Sequence, residues 1–86
     1  MISGNNIEKE IMAIISDVSG FDMNEINLET NLANDLEIDS IKAIEITVAI
    51  EKKYKISIRD EDIPNIIKVK DSLEAAKRLI AQKTDS

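Results

Sequence analysis

Few residues of this chain could do chemistry. Its 86 residues include neither histidine nor cysteine. Ser-His and Cys-His nucleophile pairs, disulfides and thiolate zinc sites are therefore excluded, and the commonest metal ligand is missing. The acid-rich stretches NDLEID and RDEDIP lack the spacing, central glycine and final glutamate of a calcium loop, so no metal site is expected. No glycine-rich phosphate loop is present either. The hydroxyl in the most suggestive surroundings is Ser40, one of seven serines, within DLEIDSIKAIEI (residues 35–46). Asp39 suits a helix N-cap, because its carboxylate can accept first-turn backbone N–H groups. Ser40 is then the first helical residue. It is either a small polar helix-start residue or the acceptor of a group that another enzyme attaches. A phosphate there would sit beside backbone N–H groups at the positive end of a helix dipole. With Asp39 as the one local base, Ser40 is no unaided nucleophile, and the chain is not expected to be an enzyme.

The elements that must position Ser40 follow from the apolar pattern. Ile7, Ile11, Ile14, Ile15 and Val18 form one helical stripe, which predicts a first helix over about residues 5–18. Asn5 can cap it, with Glu8 in capping-box position, and Ser19-Gly20 should end it. A long connection, residues 19–39, carries Phe21, Ile26, Leu28, Leu32 and Leu36, which should pin it across the fold; a short helical turn is expected near 22–26. A second main helix is expected over 40–54. At about 100° per residue its apolar side chains form two stripes. Ala43, Ile46, Ile50 and Tyr54 make one; Ile41, Ile44 and Val48 make the other. A helix packed on one side needs only the first. The second stripe either lies under the long connection or is an exposed contact surface.

Further on, KISI (55–58) is β-branched enough for a strand but has no evident partner strand. DEDIPNI (60–66) reads as a short, irregular helix containing Pro64. A last helix should start at Asp71, with Glu74 at the capping-box position and Leu73, Ala76, Leu79 and Ile80 on its apolar face. The tail QKTDS is expected to fray. The fold class is therefore all-α, an irregular four-helix bundle with three main helices, one short helix and a long first loop. A single domain over 1–86 is expected, ordered over about 5–81.

The net charge is −6, which argues against nucleic acid. The charge is uneven: residues 1–39 carry nine acids and one base, a net of −8, while residues 40–86 carry eight acids and ten bases, a net of +2. No apolar run is long enough to span a bilayer, and MISGNNIEKE lacks a signal-peptide pattern. A cytoplasmic monomer is the expectation.

DLEIDSIKAIEI resembles the signature of acyl carrier proteins and peptidyl carrier domains, Asp-Ser-Leu or Asp-Ser-Ile at the start of a helix. IEITVAIEKKYKISI and IIKVKDSLEAAKRLI resemble the same family's following segments, so the likeness spans essentially the whole chain. The resemblance implies that Ser40 carries 4′-phosphopantetheine, derived from coenzyme A, through a phosphodiester. Asp39 is similar to the acid used in recognition by the phosphopantetheinyl transferase. Ile41, Lys42, Ile44, Glu45 and Val48 fall where the family docks on acyl-loading and synthase enzymes. Leu36, Ile46, Ile50 and Leu79 would line the acyl chain. The family's thiol belongs to the prosthetic group, consistent with a chain lacking cysteine.

Two departures stand out. Glu37 occupies a position where the family often has glycine. Residues 40–55 carry Glu45 and Glu51 against Lys42, Lys52, Lys53 and Lys55, where fatty-acid carriers have an acidic helix. The reading is a specialised carrier in fatty-acid, polyketide or related lipid biosynthesis. The alternatives are a housekeeping fatty-acid or aminoacyl carrier and an unmodified helical protein-interaction module.

Overall fold

The computed structural model describes residues 4–85. Three long helices and one short one carry the fold: α1 (Gly4–Ser19), α2 (Leu32–Leu36), α3 (Ser40–Tyr54) and α4 (Val69–Asp85). Two 3-10 segments, Met23–Glu25 and Asp60–Asn65, lie in the connections. No strand forms among the described residues; an isolated antiparallel bridge pairs Asn31 with Lys68.

The stripe of α1 does what its spacing predicts. Ile7, Ile11 and Ile15 are buried, and Ile14 and Val18 flank them. α1 packs against both α3 and α4. It starts at Gly4, so Asn5 stands inside the first turn and is not the cap; the capping position lies outside the described residues. At the other end Gly20 takes φ +83°, which a glycine adopts cheaply, and its N–H donates to the Ser16 carbonyl at 2.9 Å.

The long connection is more ordered than its sequence suggests. The short turn expected near 22–26 is the 3-10 segment Met23–Glu25. Downstream, the stretch read as loop contains α2. The Asn34 N–H donates to Asn31 Oδ1 at 2.8 Å, and the Asn31 N–H donates to Asp35 Oδ2 at 2.8 Å. Leu32 and Leu36, one turn apart on the same face, are both buried. Five residues are too few to display a helical period.

A seam ties this connection to the start of α4. The N–H groups of Val69, Lys70 and Leu32 donate to the carbonyls of Thr30, Leu28 and Ile67 at 3.0, 3.0 and 2.9 Å. The Glu29 carboxylate accepts from Lys68 Nζ at 3.1 Å and Lys70 Nζ at 3.2 Å. Lys68 foremost, then Lys70, holds the Glu29 carboxyl below its ordinary range. These ion pairs are exposed and contribute little. Ile26 and Leu32, buried beside them, do most of the pinning.

α4 begins at Val69, two residues ahead of the expected Asp71. Asp71 is not the cap. Its Oδ2 reaches back to accept from the N–H groups of Ile67 and Lys68 at 3.0 and 2.8 Å, which is the return half of a capping box. The Lys68 N–H is the main cause of its carboxyl being held below the ordinary value. The helix continues through Asp85, beyond the expected fraying point. The KISI segment forms no strand. Lys55 turns left-handed at φ 56°, and the Ile58 N–H donates to Glu51 Oε2 at 2.7 Å.

Candidate functional site

Ser40 is placed by a tight sequence of backbone events. α2 ends at Leu36, and Glu37 adopts φ 56°, ψ 38°. The Ile38 N–H donates to the Leu32 carbonyl at 3.0 Å, and its side chain is buried. Asp39 is extended, with φ −88° and ψ −176°, and its Oδ1 accepts the Lys42 N–H at 2.9 Å. The Asp39 carbonyl takes the Ala43 N–H at 2.9 Å. Ser40 therefore opens α3 with its side chain exposed, and the first-turn amides of Ser40 and Ile41 lack an intrahelical partner.

The left-handed residue at Glu37 is the position that departs from the family's glycine. A non-glycine side chain there costs about 1–2 kcal/mol, part of which glycine returns through its freer unfolded chain. Glu37→Gly is expected to raise stability by about 0.5–1 kcal/mol, read as a higher urea midpoint at unchanged slope. A lower midpoint would mean that the Glu37 side chain contributes something glycine cannot.

The second apolar stripe does not lie under the long connection. Ile41, Ile44 and Val48 are 69%, 53% and 38% exposed. Glu45 is exposed on the same side, and Lys42 is half-buried. Lys42, Lys52 and Lys55 form no ion pair among the described residues, whereas Lys53 stands 3.9 Å from Glu10. The uncovered face is thus apolar, with lysines beside it and at its far end.

Behind this face a cavity of about 750 Å³ runs along α3 from Asp39 and Ser40 to Glu51. Leu32 and Ala33 of α2, Ile63 and Pro64 of the 3-10 segment, Ile66 and Ile67 after it, and Ser72 of α4 also stand on its wall, as do Ile44 and Val48 of the exposed stripe. Of the residues expected to line an acyl chain, Ile46 and Ile50 stand on this wall. Leu36 and Leu79 do not; Leu36 is a fully buried core residue and Leu79 packs at the core's edge. The wall residues from the 60–67 region escaped sequence reading because Pro64 masks any period. The signal was there in Ile63, Ile66 and Ile67, more apolar surface than so short a helix needs.

The arrangement fits a phosphopantetheine group. It offers an exposed hydroxyl, unpaired amides that favour phosphate, and an adjoining apolar cavity. No group of three or more metal-ligating side chains occurs among the described residues. No described helix is long and apolar enough to cross a membrane.

Comparison with known proteins agrees with this geometry. Residues 9–76 match the family described as a phosphopantetheine attachment site. An acyl carrier protein of Rickettsia bellii is 36% identical over 67 residues, covering 78% of each chain. An acyl carrier protein of Rhodococcus erythropolis is 32% identical over 73 residues, covering 85% of this chain and 80% of its own. The meromycolate extension acyl carrier protein of Mycobacterium leprae is 37% identical over 76 residues, covering 84% of this chain and 66% of its own. A match running from α1 into α4, around a serine set at the start of α3, shows that this chain belongs to the acyl carrier proteins, the family of phosphopantetheine-attached carriers.

Proposed function

We propose that Ser40 is the attachment residue for 4′-phosphopantetheine and that the chain works as a specialised acyl carrier, not itself an enzyme. The observation that carries this is the exposed Ser40 side chain at the first position of α3, on the wall of the apolar cavity. When bound, the group supplies the thiol that holds acyl chains as thioesters. The protein's own residues do the rest. Asp39 orders the first turn through the Lys42 amide and offers the transferase an acid next to the serine. The amides of Ser40 and Ile41 face the phosphodiester. Ile46 and Ile50 line the acyl chain, with Leu36 behind them as core. Intact mass after incubation with coenzyme A and a broad phosphopantetheinyl transferase tests the reading. A gain of one phosphopantetheine supports a carrier, and no gain supports an unmodified interaction module.

Ile41, Lys42, Ile44, Glu45 and Val48 form the docking face for acyl-loading and synthase enzymes. The unpaired Lys42, Lys52 and Lys55 favour partners whose docking sites carry acids, since like charges slow encounter and disfavour a wrong partner. The likeness to a carrier named for meromycolate extension supports a role in dedicated lipid assembly, in a cytoplasmic, monomeric protein. Lys42→Glu with Lys52→Glu is expected to raise kcat/KM for loading by fatty-acid synthesis enzymes several-fold. Wild type already loaded as well as a housekeeping carrier would favour the general fatty-acid role.

A further inference from the structure

The wall of the cavity is apolar except at a few places, and two of those are buried. Thr47 on α3 is 7% exposed and Ser72 on α4 is 2% exposed, and both line the cavity. A buried polar side chain is more informative than a buried apolar one, and valine would fill the Thr47 position without a hydroxyl. The other polar side chains on the wall are accounted for differently. Asp39, Ser40 and Asp60 are exposed, and Glu51 Oε2 holds the Ile58 N–H.

The two hydroxyl protons are already committed. Thr47 Oγ1 donates to the Ala43 carbonyl at 2.9 Å, and Ser72 Oγ donates to the Val69 carbonyl at 2.7 Å. What each oxygen still offers is a lone pair. Two different helices, α3 and α4, thus each bring to the lining a hydrogen-bond acceptor and no free donor. Thr47 lies seven residues beyond Ser40 on α3, a rise of roughly 10 Å along the helix, so its polarity is set apart from the serine.

We infer that the cavity is matched to an acyl chain carrying a hydroxyl group, whose O–H is accepted by Thr47 Oγ1 or Ser72 Oγ. This rests on the reading that Ser40 bears the acyl-carrying arm. A saturated chain would leave both acceptors facing methylenes, which a site built for a hydroxyl penalises. An oxo group brings a further acceptor and no donor, and fares no better.

The test uses the full chain loaded at Ser40 from coenzyme A thioesters of octanoyl, 3-oxooctanoyl, 3-hydroxyoctanoyl and 7-hydroxyoctanoyl groups. Intact mass reports loading, and hydrogen–deuterium exchange of residues 60–67 reports occupancy of the cavity. One of the hydroxylated chains is expected to slow exchange about fivefold more than octanoyl, the size of one ordinary hydrogen bond. The 3-oxo chain should resemble octanoyl. Thr47→Val combined with Ser72→Ala should erase the preference, and Thr47→Ser should keep it. Octanoyl protecting as well as both hydroxylated chains overturns the inference, as does a preference that survives in the double variant. Absence of any mass gain would instead strike the attachment at Ser40, and this inference with it.

Discussion

Ser40→Ala is expected to abolish phosphopantetheine attachment completely while leaving the fold intact. On the proposed attachment the Ser40 hydroxyl oxygen is the acceptor, and no other described serine is placed to replace it. The Ser16 hydroxyl donates to the Phe21 carbonyl, Ser19 Oγ accepts the Phe21 N–H, and Ser72 is buried. Ser57 is exposed but stands in the turn after α3, not at the start of a helix. Alanine is a strong helix former, and Ser40 is exposed, so stability should stay within about 0.5 kcal/mol of wild type. Intact mass after transferase treatment reads the first part and urea unfolding the second. A mass gain retained in the variant would move the attachment point elsewhere, and the site with it.

Leu36→Ala carries the largest expected effect on stability, about 3 kcal/mol. Leu36 is 1% exposed and is the last residue of α2, directly before the left-handed Glu37 that aims Asp39 and Ser40. Truncation leaves a hole that the surrounding isoleucines can fill only in part. In a small domain whose total stability is on the order of 5–10 kcal/mol, the loss is large. It should appear as a lower urea midpoint with unchanged slope. Because Leu36 is off the cavity wall, attaching an acyl chain should not restore it. A loss below about 1 kcal/mol, or full recovery on acylation, would make Leu36 a lining residue after all.

The two residues differ in how plainly the chain announced them. Asp39-Ser40 is a local signal: an N-cap acid followed by a helix whose end at Tyr54 was also legible. Leu36 was legible as an apolar anchor, yet its partners were not. α2 is too short to show a period, and its N-cap Asn31 and the Asp35 carboxylate that accepts the Asn31 N–H fall in a polar stretch that reads as loop. The Asp71 carboxylate marked the start of α4 correctly to within two residues, but its role as the return half of a capping box depends on where the chain ahead of it turns.

By itself the sequence determined the three long helices, the aliphatic core of α1, the serine at the start of α3 and the absence of Ser-His and Cys-His nucleophile pairs. These follow from residue types and from spacings within a single turn or helix. Whether Ile41, Ile44 and Val48 would be covered could be decided only in three dimensions. The seam from Leu28 to Lys70 draws the long connection toward α4 and away from that face, leaving it bare. The same packing opens the cavity beside α3, with Thr47 and Ser72 on its wall. The seam depends on contacts between residues 35 to 42 positions apart, and no local period encodes them.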